Sequence, residues 1–198
     1  MTQPPPHPTS PRGRPEKNRH DRDNGDTVTP VPSNLAADDP IFVNFRGYPF
    51  NHAYRWVHIS RFGLVTDAAD TVVISAVIDA ESYRDGYIGA GADPKGTIHG
   101  PFRIECIGTA DYSRVPAEAA AARFDRWAAA YGAVPAELAA VLDEQVHRRF
   151  AAADTIHVLR DLGDDAVCEH GRIHTEFNEF LTIDRRRGEV ALIVAADD

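Results

Sequence analysis

The sequence predicts an α+β fold, with a mostly antiparallel sheet packed against two consecutive helices and a disordered, Pro-rich N-terminal tail. Three observations predict it. Short apolar runs of strand character fill the first half of residues 38–198 and return in the last third. Between them lies one helical stretch, 116–151, that opens twice with the same four letters, Val-Pro-Ala-Glu. Strands, then helices, then strands is the order of an α+β protein, since a parallel βαβ sheet would alternate the two. Ahead of all this, residues 1–37 hold eight of the 14 prolines and almost no apolar side chain before Val28. Such a segment buries too little surface to offset its ordering entropy, so 1–37 is expected to be a disordered tail and 38–198 a single α+β domain.

The elements follow in order. Residues 41–45 are a short apolar strand. Across 54–62 the chain alternates: Tyr54, Trp56, His58, Ser60 and Phe62 share one face, and Arg55, Val57, Ile59 and Arg61 the other. The β-branched density of 71–79 predicts a buried strand. Residues 84–101 form a long connection with glycines at 86, 89, 91, 96 and 100, of the length that marks a lid or binding loop, with Tyr87-Ile88 as a brief strand inside it. Another alternating run covers 102–107. Pro116 and Pro135 open the two helices, Glu118 and Glu137 face their positive poles, and Gly132 closes the first. Apolar stripes run through Ala120, Phe124 and Trp127, then through Leu138, Leu142, Val146 and Phe150. Strands are expected again at 155–162, 172–184 and 189–196. Arg185-Arg186-Arg187-Gly188 joins the last two as a tight turn.

Charge narrows the partners. The chain carries a formal charge of -9, and residues 38–198 hold 16 basic and 26 acidic side chains. A body of that sign repels a phosphate backbone and steers basic surfaces toward it. Nucleic acid is therefore excluded as the expected ligand. No apolar run approaches a bilayer's width, so no membrane contact is expected. The start of the chain lacks a secretory leader, and Cys106 and Cys168 form no CxxC pair or disulfide framework, so a cytoplasmic setting with free thiols is expected. Spacing alone leaves a Cys106–Cys168 bridge open.

The densest polar segment is 168–179, Cys-Glu-His-Gly-Arg-Ile-His-Thr-Glu-Phe-Asn-Glu. On a straight strand from about residue 170, His170, Arg172, His174, Glu176 and Asn178 would share a face. His170, His174 and Glu176 are ligand types for zinc or iron. Glu179 falls on the opposite, apolar face beside Phe177 and Leu181. Either a bulge near Asn178 turns it outward, which is the expectation here because Phe180 also belongs inside, or it is a half-buried carboxylate with a raised pKa, able to act as general acid or base. His58 is the second catalytic candidate. Tyr54, Trp56, His58 and His99 could line a ligand pocket beneath the 84–101 loop, with aromatic stacking area and a titratable tip. The loop 89–97 is no phosphate loop, because Lys95 precedes Gly96 and no helix follows. There is no HExxH and no GxSxG.

The functional expectation is an acidic, cytoplasmic macromolecule-binding module that docks a protein partner, a basic one by charge. Immunity or inhibitor-like proteins that neutralise toxins are one instance of that class, by analogy of composition. The alternative is a small-molecule or metal-dependent enzyme with its site on the His170/His174/Glu176 face or under the 84–101 loop. A homo-oligomer paired through an exposed strand edge is a third possibility.

Overall fold

The computed structural model describes residues 38–49, 54–64, 67–89 and 91–197. The proline-rich tail expected at 1–37 lies outside the described residues, as do positions 50–53.

The elements run β1 (Ile41–Asn44), β2 (Arg55–Gly63), α1 (Asp70–Asp79), β3 (Ile98–His99), β4 (Phe102–Arg103), β5 (Tyr112–Val115), α2 (Ala117–Ala128), α3 (Ala136–Leu142), α4 (Arg148–Ala152), β6 (Thr155–Leu159), β7 (Glu176–Asp184) and β8 (Glu189–Asp197). One six-stranded sheet is ordered β1-β2-β8-β7-β6-β5, and β3 and β4 form a separate two-stranded hairpin. Every pairing is antiparallel. The α+β expectation therefore holds. It needs one addition, because helices cover both faces of the sheet.

The α2–α4 face buries Val57 and Ile59 of β2, Ile156 and Val158 of β6, Phe180 of β7 and Ile193 of β8 against Phe124, Trp127, Leu138, Leu142, Val146 and Phe150. These are the helical stripes the sequence predicts. A π-helical turn, Asp143–His147, joins α3 to α4 without breaking the helical run. Pro116 and Pro135 stand at the N-cap, one position ahead of the expectation, and α2 ends at Ala128, before Gly132.

The opposite face buries Trp56, Phe62, Leu159, Leu181, Ile183, Val190, Leu192 and Val194 against Val73, Ile74, Val77 and Ile78 of α1 and the segment that follows it. Here the expectation of a buried strand at 71–79 is corrected, because the segment is a helix. Val73-Ile74 and Val77-Ile78 recur at i, i+1, i+4 and i+5, one face of a 3.6-residue period. Burial of that face outweighs the strand preference of its β-branched residues. Asp70, in the first turn, anchors α1: His157 Nε2 meets its Oδ2 at 2.8 Å, and Arg185 Nη2 reaches its Oδ1 at 2.5 Å.

Smaller corrections follow the same logic. The run 102–107 is a strand only at Phe102–Arg103 and then a 3-10 turn, Ile104–Cys106. Tyr87-Ile88 is not a strand, and Tyr87 has φ +56. The strand at Tyr112–Val115 has no counterpart in the sequence reading. Residues 185–188 form the turn between β7 and β8, as expected. Both cysteines are free thiols.

Candidate functional site: an open aromatic cleft beside a sealed His–Glu–Tyr network

Strand register fixes where the site residues stand. Phe42 pairs with His58, His58 with Val194, and Val194 with Glu179, so these four form one row across β1, β2, β8 and β7. All four point toward the α1 face, because side chains alternate along each strand. Neighbouring strands lie about 4.8 Å apart, which sets His58 and Glu179 about 10 Å from each other. Above the row sit residues of the 80–100 segment.

At the β7 end, Glu179 is 1% exposed. The register of β7 with β8 is continuous from Glu176 to Asp184, so the bulge expected near Asn178 is absent and the carboxylate goes inside. Phe180 goes inside as well, into the opposite core, because the sheet is covered on both faces. His99 Nε2 lies 2.5 Å from Glu179 Oε2. Its Nδ1 donates to the Tyr83 carbonyl at 2.5 Å, and the imidazole stacks on the Tyr83 ring at 3.6 Å between centroids. The Tyr112 hydroxyl donates to Glu179 Oε1, and the Tyr83 hydroxyl lies 2.7 Å from that of Tyr112. Burial, and next the charge of Glu179, pushes both phenols well above their ordinary range, so they stay neutral. The His99 and Glu179 side chains are both fully enclosed, at 0% exposure.

At the β2 end the surface opens. A cleft of about 530 Å³ is lined by Phe42, Asn44, Arg46, Tyr54, Trp56, His58, Asp85, Tyr87, Ile88, Gly89, Gly91 and Ile173. Tyr87 separates the two sites. Its ring centroid is 5.2 Å from His58 and 5.3 Å from Trp56 on one side, and 5.7 Å from His99 on the other. Its hydroxyl is buried with no hydrogen-bond partner among the described residues, as is Nδ1 of His58. Burial lowers the His58 pKa; the Asp85 carboxylate opposes that shift and the neighbouring His99 adds to it, so the imidazole is neutral at neutral pH.

Tyr54, Trp56 and His58 therefore share a cleft beneath the 84–101 loop. His99 does not join them, because it lies behind Tyr87 with Glu179. The polar face expected on a strand from 170 does not form. Residues His170–Ile173 are a 3-10 turn, and β7 begins only at Glu176. His174 turns its Nε2 to the Gly86 carbonyl at 3.0 Å and packs against Trp56, while Glu176 is exposed. Among the described residues no group of three or more His, Cys, Asp or Glu is placed to hold a metal ion; the His170 side chain lies outside them. A second cleft of about 520 Å³ contains His174, Glu176 and Asn178 with Arg123, Arg160 and Asp161, a mixed-charge lining. Sequence reasoning missed Tyr83, Asp85, Tyr87 and Tyr112. Tyr83 ends the 3-10 turn Glu81–Tyr83, and Asp85 and Tyr87 follow it at i+2 and i+4 in the glycine-rich connection, a spacing that was their only signal.

The fold and site together define an α+β protein with an enclosed His–Glu–Tyr network beside an open aromatic cleft. The chain matches no family model, no curated protein and no solved structure.

Proposed function

We propose that the chain is a protein-binding module and that the Phe42–Tyr54–Ile88–Ile173 cleft is its recognition site. The observation that carries the reading is where apolar surface is left uncovered. Six large hydrophobic side chains are exposed among the described residues, and four of them, Phe42, Tyr54, Ile88 and Ile173, line this one cleft. A contiguous exposed apolar patch around a concavity, with a polar rim, is the signature of a docking site. The enclosed state of His99 and Glu179 favours binding over catalysis, since neither group reaches solvent or substrate in this arrangement. The acidic body supports a basic partner, through steering of the encounter.

The test compares immobilised wild-type protein with the double variant Phe42→Ser/Ile88→Ser in extracts of the source cell, at low and high salt. Both positions are about half exposed, so the fold should survive the change, which an unchanged unfolding midpoint checks. The reading expects a protein that wild type retains at low salt, releases at high salt, and that the double variant fails to retain. Identical retention by the two proteins contradicts it. A cleft-dependent small molecule recovered in place of a protein moves the assignment to the small-molecule reading.

A further inference from the structure

We propose that the cleft receives a cationic side chain, an arginine presented by the protein partner, and that Asp85 is its counter-ion. This rests on the recognition reading above and specifies the chemistry of its occupant. Four acids are buried among the described residues: Asp85, Glu179, Asp184 and Asp197. Three have a basic partner. Glu179 has His99 at 2.5 Å, Asp184 has Arg187 at 3.7 Å and Asp197 has Arg55 at 3.8 Å. Asp85 is 9% exposed, and among the described residues its one hydrogen bond is to a neutral group, the Tyr87 backbone N–H, which donates to Oδ1 at 2.7 Å. A buried carboxylate is costly to keep without a cation. His58, its titratable neighbour, is held neutral by burial and does not serve.

The walls suit the same guest. Asp85 opens into a cleft faced by Phe42, Tyr54, Trp56 and Tyr87. Aromatic faces attract guanidinium groups through their quadrupole and stack on them. The rim already does so within the chain, since the Arg46 guanidinium lies 4.4 Å over the Tyr54 ring. A planar cation entering between these rings finds stacking area on its faces and a carboxylate at its edge. Tyr87 is the hinge of the arrangement. It holds φ +56, a left-handed backbone rare for a bulky side chain, and in that conformation its N–H orients Asp85 while its ring walls the cleft.

The test titrates the full chain with three probes, N-acetyl-arginine methylamide, the neutral isostere N-acetyl-citrulline methylamide, and N-acetyl-leucine methylamide. Binding is followed by the NMR shifts of the Trp56 indole and the His58 ring. The expected result is that arginine binds at the cleft about tenfold tighter than citrulline. Asp85→Asn, which keeps an oxygen for the Tyr87 N–H, abolishes that preference at an unchanged unfolding midpoint. Citrulline and leucine binding at the cleft as tightly as arginine overturns the cation and leaves the recognition cleft standing. Retention of the preference in Asp85→Asn overturns the role of Asp85. No shift at the cleft with any probe overturns the inference, and the recognition reading is then decided by the Phe42→Ser/Ile88→Ser comparison.

Discussion

Glu179 and His58 stand in one row of the sheet, about 10 Å apart, and take opposite roles because one is enclosed and the other is not. Glu179 is held by His99 and Tyr112, so it serves the scaffold. Glu179→Gln should lower stability by about 3 kcal/mol, because it breaks a buried pair and replaces with an NH2 donor one of the two acceptor oxygens that His99 and Tyr112 use. Urea unfolding measures this, and a loss below about 1 kcal/mol would argue that the pair is not a structural unit. The same variant should leave arginine-probe binding unchanged. His58 adds a pH dependence. Its pKa is lowered, so it takes up a proton only below the ordinary imidazole range. The titratable and charged groups facing it are Asp85, Tyr87 and, across Tyr87, His99, with Arg46 at the cleft rim. Protonation there gives Asp85 an internal cation, so probe affinity should hold through the ordinary imidazole range and fall only at more acid pH. An affinity that is flat or rises toward acid contradicts that sign. At this scale Tyr54, Trp56 and His58 were legible from alternation alone. The partners of Glu179 were not, because His99, Tyr112 and Tyr83 reach it from positions far away in the chain.

The 71–79 segment shows why one element was misread. Its composition favours a strand and its spacing favours a helix, and the core decides for spacing because only one helical face meets it. Asp70 fastens that helix to β6 and to the β7–β8 turn. Burial would raise the Asp70 pKa, but the His157 hydrogen bond and the charges of His157 and Arg185 outweigh it and hold the pKa down. A lowered carboxylate contributes stability above its unfolded pKa, and that stability is lost as pH falls through the folded value. Asp70→Asn should therefore cost about 1 kcal/mol at neutral pH, a modest figure because the site is partly exposed, and the gap from wild type should narrow as pH falls below the ordinary aspartate range. A second fastening joins the 98–103 hairpin to the 168–171 turn. Cys168 N–H donates to the Pro101 carbonyl at 2.9 Å, and a Cβ on Gly171 would come within 2.3 Å of that same oxygen. Gly171→Ala should therefore destabilise by about 2 kcal/mol or more, since backbone has to move. Neither fastening has a sequence signature, as both depend on contacts between residues far apart in the chain.

Across the whole molecule, one sheet is shared by two cores, and the sequence announced only the α2–α4 side. The second core was hidden by the misread helix, and with it the reason Glu179 and Phe180 can both be buried. Trp56 lies in one core and Trp127 in the other. If residues 38–198 are one cooperative unit, the single-tryptophan variants Trp56→Phe and Trp127→Phe should each give one urea transition whose fluorescence and far-ultraviolet signals coincide. A transition in which fluorescence and far-ultraviolet signals separate would mean the two faces unfold independently. The short edge strands β1 and β5, four residues each, leave little template for pairing with another copy. No helix among the described residues is long and apolar enough to cross a membrane. What distinguishes the outside of the molecule is the apolar rim of one cleft. The most direct measurement places a photo-crosslinking phenylalanine analogue at Tyr54, on that rim, and separately at Tyr131, an exposed aromatic outside it. Irradiation in the source cell should join a discrete protein to position 54 and leave position 131 bare; equal adducts at both positions, or adducts at 131 alone, would contradict the account.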